Sequence, residues 1–281
     1  MTSTPYSLFS LADNVVVITG AAGLLGRHHA EAVASFGGHP VLLDINEEAV
    51  ASLALEIKNT YNVDPMALAV DITNEACVDA ACIQVINKYR KVDALINNAA
   101  NNPKIERGEI GKNSRLEHYS LDAWNSDLSV GLTGAFLCSK YFGTAIFKSS
   151  DSGTIINMSS DLGIISPDQR LYAQHGLSQE EQPVKPISYS VTKSGILGLT
   201  RYLATYWTRD GQVVVRCNAI CPGGAENGQP KEFQHDVAQR VPIGRMMKPE
   251  ELQGTVVFLL SQASTYVNGT FITVDGGRTI W

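Results

Sequence analysis

The feature that most constrains the fold is an alternation that begins at Asn14. Val15-Val16-Val17-Ile18-Thr19 is a β-branched run ending in Gly20. A short apolar run with no polar alternation predicts a strand buried on both faces. Residues 24–36 then have helical character and stop at Gly37-Gly38. The rhythm repeats with strands at 39–44, 66–70, 93–96, 154–158, 213–218 and 270–274. Helices are predicted at 47–61, 75–89, 122–148, 194–206 and 249–260. Apolar strands separated by helices predict an α/β protein with a doubly wound parallel sheet of about seven strands and helices on both faces. No repeat, low-complexity tract or linker interrupts residues 1–281, so one domain is expected.

Composition narrows the function classes. Hydrophobic residues make 44% of the chain and charged residues 18%, which fits a globular protein rather than a disordered one. The net charge of −6 argues against nucleic acid or an anionic membrane surface as the main partner. Five cysteines, an odd number in apolar segments, point to reduced buried thiols. Cys217 and Cys221 lack zinc spacing, and no histidine completes a metal set, so no metal site is expected. The first ten residues show no basic region leading into an apolar run, and no stretch is expected to span a bilayer. A cytoplasmic setting is the resulting expectation.

Two local patterns carry chemistry. Thr19-Gly20-Ala21-Ala22-Gly23-Leu24-Leu25-Gly26 lies between the first strand and the first helix. Glycines allow a tight turn and close backbone approach to a pyrophosphate, which a helix N-terminus favours. Asp44 ends the second strand, where a carboxylate can bond adenosine ribose hydroxyls and repel a 2′-phosphate. This Rossmann-like pattern, with no basic residue at Ala21 or Ala22, predicts NAD in preference to NADP. The second pattern is Tyr189-Ser190-Val191-Thr192-Lys193. Positions four apart share a helix face, so the phenol and the ammonium can meet. A nearby cation is expected to lower the tyrosine pKa and fit it for proton transfer. Three long segments, 101–119, 161–186 and 224–241, each follow a predicted strand, on the edge where open parallel sheets bind ligands.

With these pieces in order, the chain resembles the short-chain dehydrogenase/reductase family in its compact one-domain form. The likeness rests on the 19–26 loop, Asp71-Ile72, Asn97-Asn98-Ala99-Ala100, Ile156-Asn157-Met158-Ser159-Ser160, Tyr189 with Lys193, Pro222-Gly223 and Val274-Asp275-Gly276-Gly277. The resemblance implies an NAD-binding domain and an oxidoreductase that interconverts a secondary alcohol and a ketone. It implies cofactor contacts from Gly20, Gly23, Leu24, Leu25, Gly26, Asp44, Asp71, Ile72, Asn98, Tyr189, Lys193, Pro222 and Gly223. It further implies that Ser160 orients the reacting oxygen, Tyr189 transfers the proton, and Lys193 lowers the tyrosine pKa and holds the nicotinamide ribose.

The sequence departs from the family pattern in four places. Leu24 stands where the compact branch usually has glycine, a spacing nearer to that of the sugar-nucleotide epimerases. Ala100 replaces a usual glycine. Gly131, seven residues after Trp124, replaces the asparagine thought to hold a proton-relay water. Ser160 and Tyr189 are 29 positions apart, about double the usual gap. Tyr172 lies in that insertion, but Gly176 rather than lysine follows it four places on. Polar loop residues (Asn101, Asn102, Lys104, Arg107, Arg115, Asp161, Gln169, Arg170, His175, Asn227 and Gln229) suggest a small sugar- or polyol-like substrate, with a 3-oxoacyl thioester as the alternative. A non-catalytic NAD-binding relative is the alternative of another class. Resemblance further implies a homotetramer or homodimer built on the long helix and the Tyr/Lys helix.

Overall fold

The computed structural model describes residues 7–101 and 113–281. It contains a seven-stranded sheet in the order β3-β2-β1-β4-β5-β8-β9, with every neighbouring pair parallel. The strands are β1 (Val15–Thr19), β2 (His39–Asp44), β3 (Met66–Ala69), β4 (Ala94–Asn97), β5 (Gly153–Met158), β8 (Val215–Pro222) and β9 (Phe271–Val274). The helices are α1 (Leu24–Ser35), α2 (Glu47–Tyr61), α3 (Glu75–Tyr89), α4 (Leu121–Ser149), α5 (Ile187–Leu203), α6 (Lys231–Ala238) and α7 (Gln253–Leu260). Strand order reverses between β1 and β4, so a crevice opens there at the C-terminal edge of the sheet.

Each strand is apolar on both sides because both faces are covered. Val16 and Ile18 join a core shared with α1, α2 and α7. Val15 and Val17 point the other way, into a core shared with α3, α4 and α5. All four are at most 1% exposed, and burying each such side chain contributes roughly 1.5–3 kcal/mol.

The helices begin and end for readable reasons. The Asn46 side chain caps α2 by accepting from the Ala49 amide, and Asn74 caps α3 through Ala76 and Cys77. Asn62 and Arg90 stop these helices in the left-handed conformation.

Several expectations need correction. The Tyr/Lys helix runs from Ile187, just after Pro186, to Leu203, ending three residues before the expected Tyr206, and Tyr189 lies in its first turn. Residues 249–252 form a separate 3-10 turn before α7. A hairpin of β6 (Thr208–Arg209) and β7 (Gln212–Val213) precedes β8. Its Asp210-Gly211 turn, with φ of 53° and 77°, is a hairpin signal readable in the sequence. Segment 224–241 contains α6 and is not purely a loop. Four of the five cysteines are buried, but Cys77 is exposed. The long helix α4 is apolar and long enough to cross a membrane by length and composition, contrary to expectation, yet half of its apolar window is buried inside the fold. It also carries two π turns, Ser129–Thr133 and Ser139–Gly143.

Candidate active site

The site is assembled where β1, β4, β5 and β8 end. The nucleotide side comes first. Gly20 takes φ +62°, and a Cβ there would lie 2.8 Å from Ala99 Cα. A Cβ on Gly26 would lie 2.1 Å from the Gly20 carbonyl oxygen. Only glycine lets this turn pack so closely against β4 and its own helix. No side chain caps the first turn of α1, so its amides face the loop as an anion-favouring end. Leu24 is exposed at this end, Leu25 half-buried.

Asp44 closes the loop from β2. Its carboxylate accepts from the Ala22 amide at 3.0 Å and the Asn46 amide at 3.1 Å. Asn98 ties β4 to the same loop by donating to the carbonyls of Thr19 and Gly20, both at 3.0 Å. Asp71 accepts from the Thr73 amide and hydroxyl, while Ile72 is buried against Gly134 of α4. On the far side Pro222 ends β8 and Gly223 lies against Asp275, where a Cβ would come within 3.0 Å of its Cα. A glycine cradle, an uncapped helix end and a ribose-height carboxylate fit a dinucleotide.

The reacting side centres on Tyr189. Ser160 follows β5 and is near enough to the phenol to favour its ionised form. Its hydroxyl donates to Asp161 Oδ1 at 2.8 Å. Ser159 instead donates to the Lys193 carbonyl of α5, a structural role. Lys193 Nζ donates to the Met158 carbonyl at 2.8 Å and stands 5.8 Å from the Tyr189 ring centroid. Lys185, from the insertion, is closer, with Nζ 3.9 Å over that ring.

Here the expected pKa direction is overturned. Burial pushes the Tyr189 phenol above its ordinary value, outweighing the opposing influence of the neighbouring Ser160 hydroxyl. Burial also lowers Lys193 to about 8, with help from the charge of Lys185. A buried ammonium turned to a carbonyl does not offset the phenolate's loss of water.

Gly131 explains itself in three dimensions. It sits in the first π turn of α4, facing α5, and a Cβ there would lie 2.4 Å from Thr192 Cγ2. The space of a longer side chain is therefore taken by Thr192. Beside it is a cavity of about 10 Å³ lined by Ala100, Asn101, Asp127, Gly131, Tyr189, Thr192 and Lys193. Asp127, not singled out from sequence, accepts from Tyr119 and Ser188 hydroxyls at this cavity.

Part of the loop surface is an apolar wall, while Asn101 lines the cavity as expected. Leu171, Val237, Val241 and Met246 make a separate apolar cluster joined by Tyr172 and Phe233. Tyr172 is raised to about 12 by burial, far from an active base. Arg170 pairs with Asp168, Gln169 accepts from the Lys185 amide, and the Asn227 amide donates to Gln229. Arg115 donates to the carbonyls of Gln179 and Gln182. These polar groups are engaged in holding loops together. Asn102, Lys104 and Arg107 lie outside the described residues.

A family model described as enoyl-(acyl carrier protein) reductase matches residues 20–279. The chain belongs to the short-chain dehydrogenase/reductase family. It is an oxidoreductase of CH–OH groups, a class that uses NAD(P) and small-molecule substrates. It is similar to cis-4-hydroxycyclohexanecarboxylate dehydrogenase of Sinomonas cyclohexanicum, 30% identical over 96% of this chain and 98% of that one. A NAD-dependent glycerol dehydrogenase of Listeria innocua is 29% identical, covering 97% of this chain and 96% of its relative. Among solved structures, a gluconate 5-dehydrogenase of Burkholderia cenocepacia in complex with NADP and tartrate superposes with a TM-score of 0.80. It is 27% identical, and the match covers 98% of this chain and 99% of that one.

Proposed function

We propose that this dehydrogenase prefers NAD and acts on a polar secondary alcohol of the sugar or polyol type. The convergence of Ser160, Tyr189 and Lys193 at the end of β5 carries the proposal. Bound NAD supplies the hydride acceptor. Tyr189, in its phenolate form, would take the proton of the substrate hydroxyl, Ser160 would orient the reacting oxygen, and Lys193 would hold the nicotinamide ribose. Asp44 supports NAD, because a second anionic group beside its carboxylate is repelled. The glycerol and gluconate dehydrogenases among the relatives support a polyhydroxy substrate.

The family model's description favours one other substrate class, an acyl thioester. Polyols, sugar acids and 3-oxoacyl thioesters, each assayed with NAD(H) and NADP(H), separate the two; turnover of thioesters alone overturns the sugar assignment. The Tyr189→Phe variant tests catalysis itself. Turnover falls by at least about 10²-fold while NAD binding persists. Equal, negligible turnover in both forms would favour a binding protein.

A homotetramer or homodimer is part of the same proposal. Phe136 of α4 and Val191 and Tyr202 of α5 are exposed apolar side chains on the two helices in question. Solution mass measurement tests this.

A further inference from the structure

Next to Ser160 lies an ion pair that no catalytic role absorbs. Asp161 Oδ2 accepts from Arg278 Nη1 at 2.9 Å, and their side chains are only 3% and 10% exposed. The other carboxylate oxygen, Oδ1, accepts from the Ser160 hydroxyl and the Leu162 amide, both at 2.8 Å. Arg278 arrives from 117 positions away, on a turn fixed by Asp275. That carboxylate accepts from the amides of Gly277 at 3.0 Å and Thr279 at 2.8 Å. Gly276 and Gly277, at φ +65° and +87°, let the chain fold back over the site.

A hydroxyl has one proton to donate. In Ser160 that proton has two claimants: Asp161, which holds it here, and the oxygen of Tyr189 or of a substrate. A bare buried carboxylate is a strong acceptor and would keep it. A carboxylate already bonded to a guanidinium is a weaker one. Asp161 also acts on Tyr189 directly, since its negative charge disfavours the phenolate. Both effects depend on how far Asp161 is neutralised.

We propose that Arg278 is a positioning residue of this active site, charge-balancing Asp161 so that Ser160 can turn its proton to the reacting oxygen and Tyr189 can ionise. It rests on the dehydrogenase assignment for Ser160 and Tyr189. The other charged or titratable groups around Tyr189 and Asp161 are Lys185 and Tyr172 of the insertion, Lys193 of α5, Asp127 of α4 and Cys221 of β8. Arg278 alone among the described residues makes an ion pair with Asp161.

The test uses the full-length protein labelled with 3-fluorotyrosine, its Tyr189 resonance assigned by its loss in Tyr189→Phe. The ¹⁹F titration needs no substrate, so it stands even if the dehydrogenase assignment fails. Arg278→Gln moves the Tyr189 midpoint up and Asp161→Asn moves it down, each by about half a unit or more. Arg278→Lys, which keeps the charge, returns it toward the wild-type position. If a substrate is found in the panel above, Arg278→Gln lowers kcat more than it raises KM and shifts the pH profile upward. An Arg278→Gln midpoint within about 0.2 unit of wild type overturns the proposal, whatever Asp161→Asn does. Should Arg278→Gln not fold, the Asp161→Asn/Arg278→Gln double variant, which leaves no lone buried charge, decides: a midpoint no higher than that of Asp161→Asn alone overturns the proposal.

Discussion

Replacing Gly131 by alanine offers a sharp test of how α4 and α5 meet. The added Cβ would stand 2.4 Å from Thr192 Cγ2, 3.7 Å from its Cβ and 3.9 Å from its Oγ1. The neighbour is a β-branched side chain held in the middle of α5, where χ1 has little freedom. The helices must therefore move apart or Thr192 must leave its rotamer, which costs about 1–3 kcal/mol. Removal of glycine from a helix returns up to about 1 kcal/mol. The net effect is a loss of about 0–3 kcal/mol, the difference between those two figures. At this chain length each kcal/mol moves Tm by about 2–4 °C. In a Thr192→Ser background the methyl is gone, so the same Gly131→Ala change becomes neutral or stabilising. Thermal scans of the four proteins at one concentration give the coupling, expected at about 1–3 kcal/mol. Equal Tm shifts in both backgrounds would refute Thr192 as the group that fills this space.

Two further outcomes follow from other residues. His29 is fully buried in α1, and neither ring nitrogen has a hydrogen-bond partner among the described residues. Burial, assisted by the charge of His28 and only partly opposed by the nearby Asn98 side chain, lowers it from 6.5 to about 4. The unfolded chain therefore binds a proton that the folded one refuses. Stability is full above pH 6.5 and is lost as pH falls toward 4, by on the order of 3 kcal/mol. Denaturant titrations from pH 7 to 4 should show this slope, and His29→Leu should remove it. For Asp44, the change to Asn keeps the shape and removes the charge. The kcat/KM ratio of NADP to NAD should rise about tenfold, and an unchanged ratio would mean that selectivity lies elsewhere.

How much of this the sequence disclosed depends on the distance over which each feature is encoded. The strand run Val15 to Thr19, the glycine turn and the Tyr189–Lys193 spacing are local, and periodicity or spacing carries them. The Asp161–Arg278 pair is not, because 117 residues of chain separate its members. Gly131 was visible as an oddity, but its reason lies on another helix, in the methyl of Thr192. The tyrosine pKa was misjudged because spacing places a cation nearby and says nothing of burial. Helix α6 escaped notice because eight mostly polar residues after Pro230 show little apolar period. The polar loop residues looked like a substrate lining; folded, Arg170, Gln169 and Arg115 are spent on neighbouring loop atoms.

The small cluster of Leu171, Val237, Val241 and Met246 is separate from the two cores that flank the sheet. Its members join the insertion to the α6 region, with Val241 against Gly276 and Met246 against Gly224 at its border. This wall can open as one cooperative unit while both sheet cores stay shut. Amide exchange should then show 168–172 and 233–246 losing protection together, ahead of β1 and β5. A binding wall with its own miniature core can also be rebuilt residue by residue over evolutionary time, leaving the nucleotide scaffold untouched.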